Sequence, residues 1–125
     1  MSALRMISIT VLCFAVQMVN AQATNPFSGN WKVVWDGEAQ TYEAKLVLTE
    51  QGGSWKTAAR QKNNPCVGRE VPVKLDTVSA TELTATLGFS EVIPGCKDSR
   101  ITLKVDSGNN VTGKRGKSDL TLTRE

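Results

Sequence analysis

The chain has no histidine and a single tyrosine, and aromatic residues make up only 6% of its 125 residues. Without histidine it cannot build the Ser-His-Asp or Cys-His arrangements of nucleophilic catalysis, and it lacks the imidazole ligand common in zinc sites. Its cysteines also lack the C-x-x-C spacing of thioredoxin-like and zinc-binding motifs. We therefore expect no catalytic, metal or cofactor site, and no enzymatic activity.

An excess of charge of one sign is also missing. Fifteen lysines and arginines stand against twelve aspartates and glutamates, which gives a formal net charge of +3. Proteins that bind nucleic acids concentrate basic residues on one face, and nothing in this chain indicates such a concentration. We therefore expect no nucleic-acid partner.

The one long apolar run lies at the N-terminus. Arg5 precedes it, and small residues follow it at offsets that allow cleavage after Ala21 or after Ala23. This is the pattern of a secretory signal peptide over residues 1–21, and the run is shorter than the roughly 20 apolar residues that span a bilayer. We expect a secreted or periplasmic protein, with one mature domain over residues 24–125 and no membrane contact after cleavage.

Cleavage would leave two of the three cysteines. Cys13 lies in the predicted signal peptide, whereas Cys66 and Cys96 lie in the mature domain. Exported proteins usually carry oxidised cysteine pairs, and an even number favours pairing. A bridge between Cys66 and Cys96 would close a loop of about 30 residues, which stabilises a fold by about 3–4 kcal/mol because it restricts the unfolded chain.

The mature domain alternates apolar and polar residues in short segments, the pattern of half-buried strands. Eight such segments follow one another: Trp31–Asp36, Tyr42–Thr49, Trp55–Arg60, Val71–Asp76, Glu82–Leu87, Arg100–Val105, Asn110–Lys114 and Asp119–Arg124. Turn-forming residues separate most of them. The predicted fold is all-β: an eight-stranded antiparallel up-and-down barrel, since closure removes both sheet edges.

The order of the strands also predicts where the cysteines meet. In an up-and-down barrel the links alternate between the two ends. The two long links, QKNNPCVGRE and SEVIPGCKDS, fall at the same end, and each contains one mature cysteine. We therefore predict a disulfide between Cys66 and Cys96 at this open end of the barrel.

The sequence NPFSGNW before the first strand resembles the Gly-x-Trp motif of lipocalins and their calycin relatives, which include the avidins. The whole pattern is also similar to small exported bacterial β-barrel proteins of unassigned role. The resemblance implies that Trp31 closes the narrow end and that Arg124 packs across it and bonds to the N-terminal turn. It does not carry over biotin binding, because avidins line their site with tryptophans from several strands. Here Trp31, Trp35 and Trp55 all lie in the first three strands.

Two groups of residues near the open end are candidate binding sites. By strand parity Trp35 and Tyr42 face inward near the rim, where they either fill the core or line a ligand mouth. Val92, Ile93 and Pro94 form an apolar tip in an otherwise polar link. Such a tip either contacts a partner or folds back as a lid on the barrel.

These features lead to one expected function and one alternative. We expect an exported, non-enzymatic binding protein that holds a small apolar ligand at the open barrel end. The alternative is a protein-interaction module, such as an inhibitor of an extracellular or periplasmic hydrolase. That module would act on a secreted or periplasmic protein through the disulfide-tethered rim loops.

Overall fold

The computed structural model describes residues 25–58 and 64–125. The predicted signal peptide and its cleavage site lie outside these residues. The described elements are β1 (Gly29–Asp36), β2 (Thr41–Thr49), β3 (Gly52–Thr57), β4 (Glu70–Val78), β5 (Glu82–Leu87), α1 (Phe89–Val92), β6 (Ser99–Val105), β7 (Val111–Arg115) and β8 (Ser118–Arg124).

The eight strands form a closed barrel in which each strand pairs antiparallel with the next along the chain. The barrel closes between β1 and β8, where Trp31 lies opposite Arg124 and Val33 opposite Leu122. Closure leaves no strand edge unpaired, which is one way in which β-proteins avoid edge-to-edge aggregation. The predicted fold class is confirmed.

The alternation that predicts the strands also separates the core from the surface. Along β1, Trp31, Val33 and Trp35 are buried, whereas Lys32 is exposed. The largest of the fully buried side chains are Trp55, Phe27, Leu46, Leu83, Leu87, Ile101, Leu103, Val33 and Val71. An eight-stranded barrel is narrow enough for its own side chains to fill its interior. Binding sites are therefore to be sought at its two ends.

The predicted disulfide is present. Cys66 and Cys96 are bonded, with their Cα atoms 5.8 Å apart, and they join the β3–β4 link to the β5–β6 link. We call this the disulfide end of the barrel; it is the end predicted to be open. The opposite end, where β1 begins and β8 ends, is called the N-terminal end.

The strand pattern did not predict α1, a single helical turn in the β5–β6 link. Four residues are too few for a helical period to show in the sequence. The turn is held by the hydrogen bond from Ile93 N to Phe89 O (2.9 Å) and by Asp98. The carboxylate of Asp98 accepts bonds from the backbone N (2.9 Å) and the Oγ (2.7 Å) of Ser90. This turn places Phe89 over the disulfide end.

Candidate functional site

At the N-terminal end, Arg124 lies against Trp31. Its guanidinium carbon is 4.2 Å from the centre of the indole ring, within the range of a cation–π contact. Arg124 Nη1 donates to Ser28 O (2.9 Å) and Nη2 donates to Pro26 O (2.6 Å). Both terminal nitrogens therefore have backbone acceptors, and the side chain ties the last strand to the segment before β1.

The backbone at the start of β1 has a conformation that allows this contact. Gly29 adopts φ +131°, a conformation that side chains disfavour, and a Cβ there would lie 3.0 Å from Arg124 Nη1. The indole Nε1 of Trp31 donates to Phe27 O (2.8 Å), and the Phe27 side chain is fully buried. The Gly29-x-Trp31 pair thus combines a close backbone approach with a fixed ring, and side chains fill this end.

The disulfide end instead contains a pocket of about 210 Å³. Trp35 and Tyr42, the residues expected at a ligand mouth, both line it. Their rings are stacked, with centroids 5.6 Å apart and planes inclined by 16°. Among the described residues, the lining consists of Trp35, Tyr42, Thr57, Asn64, Cys66, Val67, Phe89, Lys97 and Arg115. The disulfide therefore forms part of the pocket wall.

Arg115, the last residue of β7, is the charged group at the base of the aromatic cluster. Its guanidinium carbon lies 5.5 Å from the ring centre of Trp35, 5.7 Å from that of Trp55 and 5.5 Å from that of Phe89. Its Nε donates to Ser99 Oγ (2.9 Å). The aromatic rings and this hydrogen bond fix the position of the guanidinium.

The terminal nitrogens of Arg115 differ from those of the arginine at the other end. Among residues 25–58 and 64–125 they have no hydrogen-bond partner, and no carboxylate pairs with this side chain. Burial lowers the pKa of the Arg115 guanidinium, yet an arginine remains protonated at any physiological pH. The pocket therefore contains a fixed, half-buried positive charge with two unused donor groups.

The other polar groups of the lining are also donors. The Thr57 hydroxyl is buried and accepts a bond from Trp55 Nε1 (2.8 Å), so its hydrogen remains available to donate. The side-chain oxygen of Asn64 already accepts from Cys66 N (3.0 Å). Lys97 adds a second positive charge, and none of the described residues that line the pocket is acidic. Such a site can bind and orient an anion.

Arg115 is not among the site residues predicted from the sequence. The signal was present, because Val111, Gly113 and Arg115 share the inward parity of β7, whereas Thr112 and Lys114 point outward and are exposed. The pattern was weak because Gly113 has no side chain to mark the inward face. Phe89 was missed for a different reason, since it belongs to the unpredicted turn α1.

The apolar tip of the β5–β6 link is mostly covered. Ile93 is only 6% exposed, and Val92 is partly buried and packed against the core. Only Pro94 is exposed. Of the two placements considered for this tip, the described structure therefore has Ile93 folded onto the barrel.

A larger concavity, of about 710 Å³, lies on the outer face of β6–β8. Its walls are mostly exposed threonines and basic residues on the solvent side of the sheet. Lys114 pairs there with Asp119 (3.7 Å). Because no buried polar group faces this surface, it has less of the character of a binding site than the smaller pocket. The described residues also include no group of three or more side chains placed to hold a metal ion.

No protein-family model, no curated protein and no solved structure matches this chain. Within residues 25–58 and 64–125, no helix is long and apolar enough to cross a membrane.

Proposed function

We propose that this protein is an exported, non-enzymatic binding protein of calycin-like type, and that it binds a small ligand in the pocket at the disulfide end. The observation that supports the proposal is this pocket, where three aromatic rings lie around the guanidinium of Arg115, whose terminal nitrogens have unused donors. Binding sites for small molecules typically combine such an apolar wall with a few fixed polar groups.

Three further features support the calycin-like type and export. The arrangement of Gly29, Trp31 and Arg124 at the N-terminal end has the geometry that the resemblance to calycins implies. A disulfide is typical of proteins that fold in an oxidising compartment, and the N-terminal segment has the pattern of a signal peptide. The absence of histidine from the sequence is the reason that catalysis is not part of the proposal.

The alternative, an inhibitor or other interaction module acting through Val92, Ile93 and Pro94, has less support. Burial of Ile93 leaves Pro94 as the one exposed residue of that tip. A partner would have to displace Ile93 from the barrel to use it as an anchor.

The three tryptophans provide a direct test, because Trp35 and Trp55 lie beside Arg115 at the pocket and Trp31 lies at the other end. In a nuclear magnetic resonance titration of ¹⁵N-labelled protein with small neutral and charged aromatic fragments, the indole signals of Trp35 and Trp55 should shift. The indole signal of Trp31, at the other end, should stay in place. Shifts at Trp31 alone, or at none of the three with every fragment, would contradict binding in this pocket.

A further inference from the structure

Arg115 defines the class of ligand that this pocket would accept. We infer that the pocket selects small planar organic acids, with Arg115 binding the carboxylate and the Trp35–Tyr42 stack packing against the planar body. This inference rests on the proposed small-ligand function and adds the chemistry of the ligand to it.

The first step is the sign of the charge. The described part of the lining contains Arg115 and Lys97 but no aspartate or glutamate. Removing a cation from water is unfavourable, and the three aromatic rings offset only part of that cost through cation–π contacts. An anion in the pocket would supply the missing opposite charge where solvent screening is weak. A cationic ligand would add to the repulsion between the two basic side chains.

The second step is the geometry of the head group. Because Nε donates to Ser99 Oγ, the guanidinium is held by one edge, and Nη1 and Nη2 retain donors for a ligand. A planar fork of this kind matches two oxygens of one carboxylate. The Thr57 hydroxyl, which accepts from Trp55, can donate a further bond.

The third step concerns the body of the ligand. The rings of Trp35, Tyr42 and Phe89 line the pocket, and those of Trp35 and Phe89 each lie 5.5 Å from the guanidinium carbon, so a ligand bound to Arg115 would meet aromatic surfaces. Flat apolar groups pack well on such faces. A volume of about 210 Å³ has room for a small molecule. Benzoate is the simplest compound with both features.

The test compares benzoate, neutral benzamide and inorganic phosphate by isothermal titration calorimetry and by the tryptophan indole signals. Benzoate should bind roughly 10- to 100-fold more tightly than benzamide, as expected for hydrogen bonds to a charged group. In Arg115→Gln this preference should disappear. Arg100→Gln is the matched control, because its side chain is 71% exposed and lies outside the pocket lining, and it should keep the preference.

The outcomes separate the ligand class from the function itself. Equal affinity for benzoate and benzamide, unchanged in Arg115→Gln, would overturn the assignment of an organic acid but leave small-ligand binding intact. If phosphate binds as tightly as benzoate, the inference that the pocket selects a planar body is wrong. Lack of binding by all three compounds would overturn both this inference and the binding of such ligands. If Arg115→Gln does not fold, the comparison of benzoate with benzamide on the unaltered protein still decides.

Discussion

An arginine lies against tryptophan at each end of the barrel, and the two arginines differ in what their terminal nitrogens bind. At the N-terminal end, Arg124 lies 4.2 Å from one ring and donates to two backbone carbonyls. At the disulfide end, Arg115 is surrounded by three rings, and only its Nε has a partner among the described residues. The cation–π contact is common to both ends, so the two ends differ in whether the terminal nitrogens of the arginine have hydrogen-bond acceptors among the described residues.

The largest expected loss of stability comes from removing a tryptophan, and it should differ between the two ends. Trp31 is 3% exposed and bonded to Phe27 O, so Trp31→Ala should lower the free energy of unfolding by about 3–5 kcal/mol, as for other buried aromatic residues. Trp35 already borders a pocket, and Trp35→Ala should cost at least about 1 kcal/mol less. Urea unfolding with the disulfide intact measures both values. Equal losses would mean that the two ends are packed alike.

Replacing the arginines should change the free energy of unfolding less, and only the variant at the N-terminal end should lose stability. Arg124→Met removes two hydrogen bonds from an exposed side chain and should lower the free energy of unfolding by about 1–2 kcal/mol. Arg115→Met replaces a half-buried cation that has no acidic partner with an apolar chain of similar length. The free energy of unfolding should then stay within about 0.5 kcal/mol or rise. Both variants can be compared by urea unfolding at neutral pH.

A loss in Arg115→Met as large as that in Arg124→Met would contradict this comparison. It would mean that the main role of Arg115 is to stabilise the core. Arg100→Met is a suitable control for the loss of one surface charge, because that arginine is exposed and only weakly paired with Asp76 at 3.8 Å. Exposed pairs of this kind contribute about 0–1 kcal/mol.

The same contrast explains which features the sequence predicts. Inward parity along regular strands is a strong signal, so the barrel and the position of Trp35 and Tyr42 near its disulfide end follow from it, while the alternation of links between the two ends predicts the disulfide. The alternation of apolar and polar residues is hard to see where the inward residue is glycine, as at Gly113. For that reason the sequence does not mark Arg115 as an inward residue. The turn that positions Phe89 has only four residues and depends on a bond between distant partners, so no local pattern marks it.

The smallest expected effect is a loss of folding stability at low pH, to which one aspartate at each end contributes. Hydrogen bonds from the side chain and backbone of Ser90 lower the pKa of Asp98 at the disulfide end. Backbone bonds from Asn110 and Gly108 lower the pKa of Asp106 in the β6–β7 turn. A folded-state pKa below the unfolded value means that the charged form stabilises the fold. This stabilisation is complete above the ordinary aspartate pKa and is lost as the pH falls through the folded-state pKa.

Asp98→Asn and Asp106→Asn should therefore each be slightly less stable than the unaltered protein at neutral pH, by less than Arg124→Met. The difference should vanish well below the ordinary aspartate range, where the unaltered side chains are also neutral. Benzoate titration then separates the two ends. Because Asp98 holds the turn that carries Phe89 over Arg115, only Asp98→Asn should weaken benzoate binding. An equal loss in Asp106→Asn would show that general stability, and not the position of Phe89, controls the pocket.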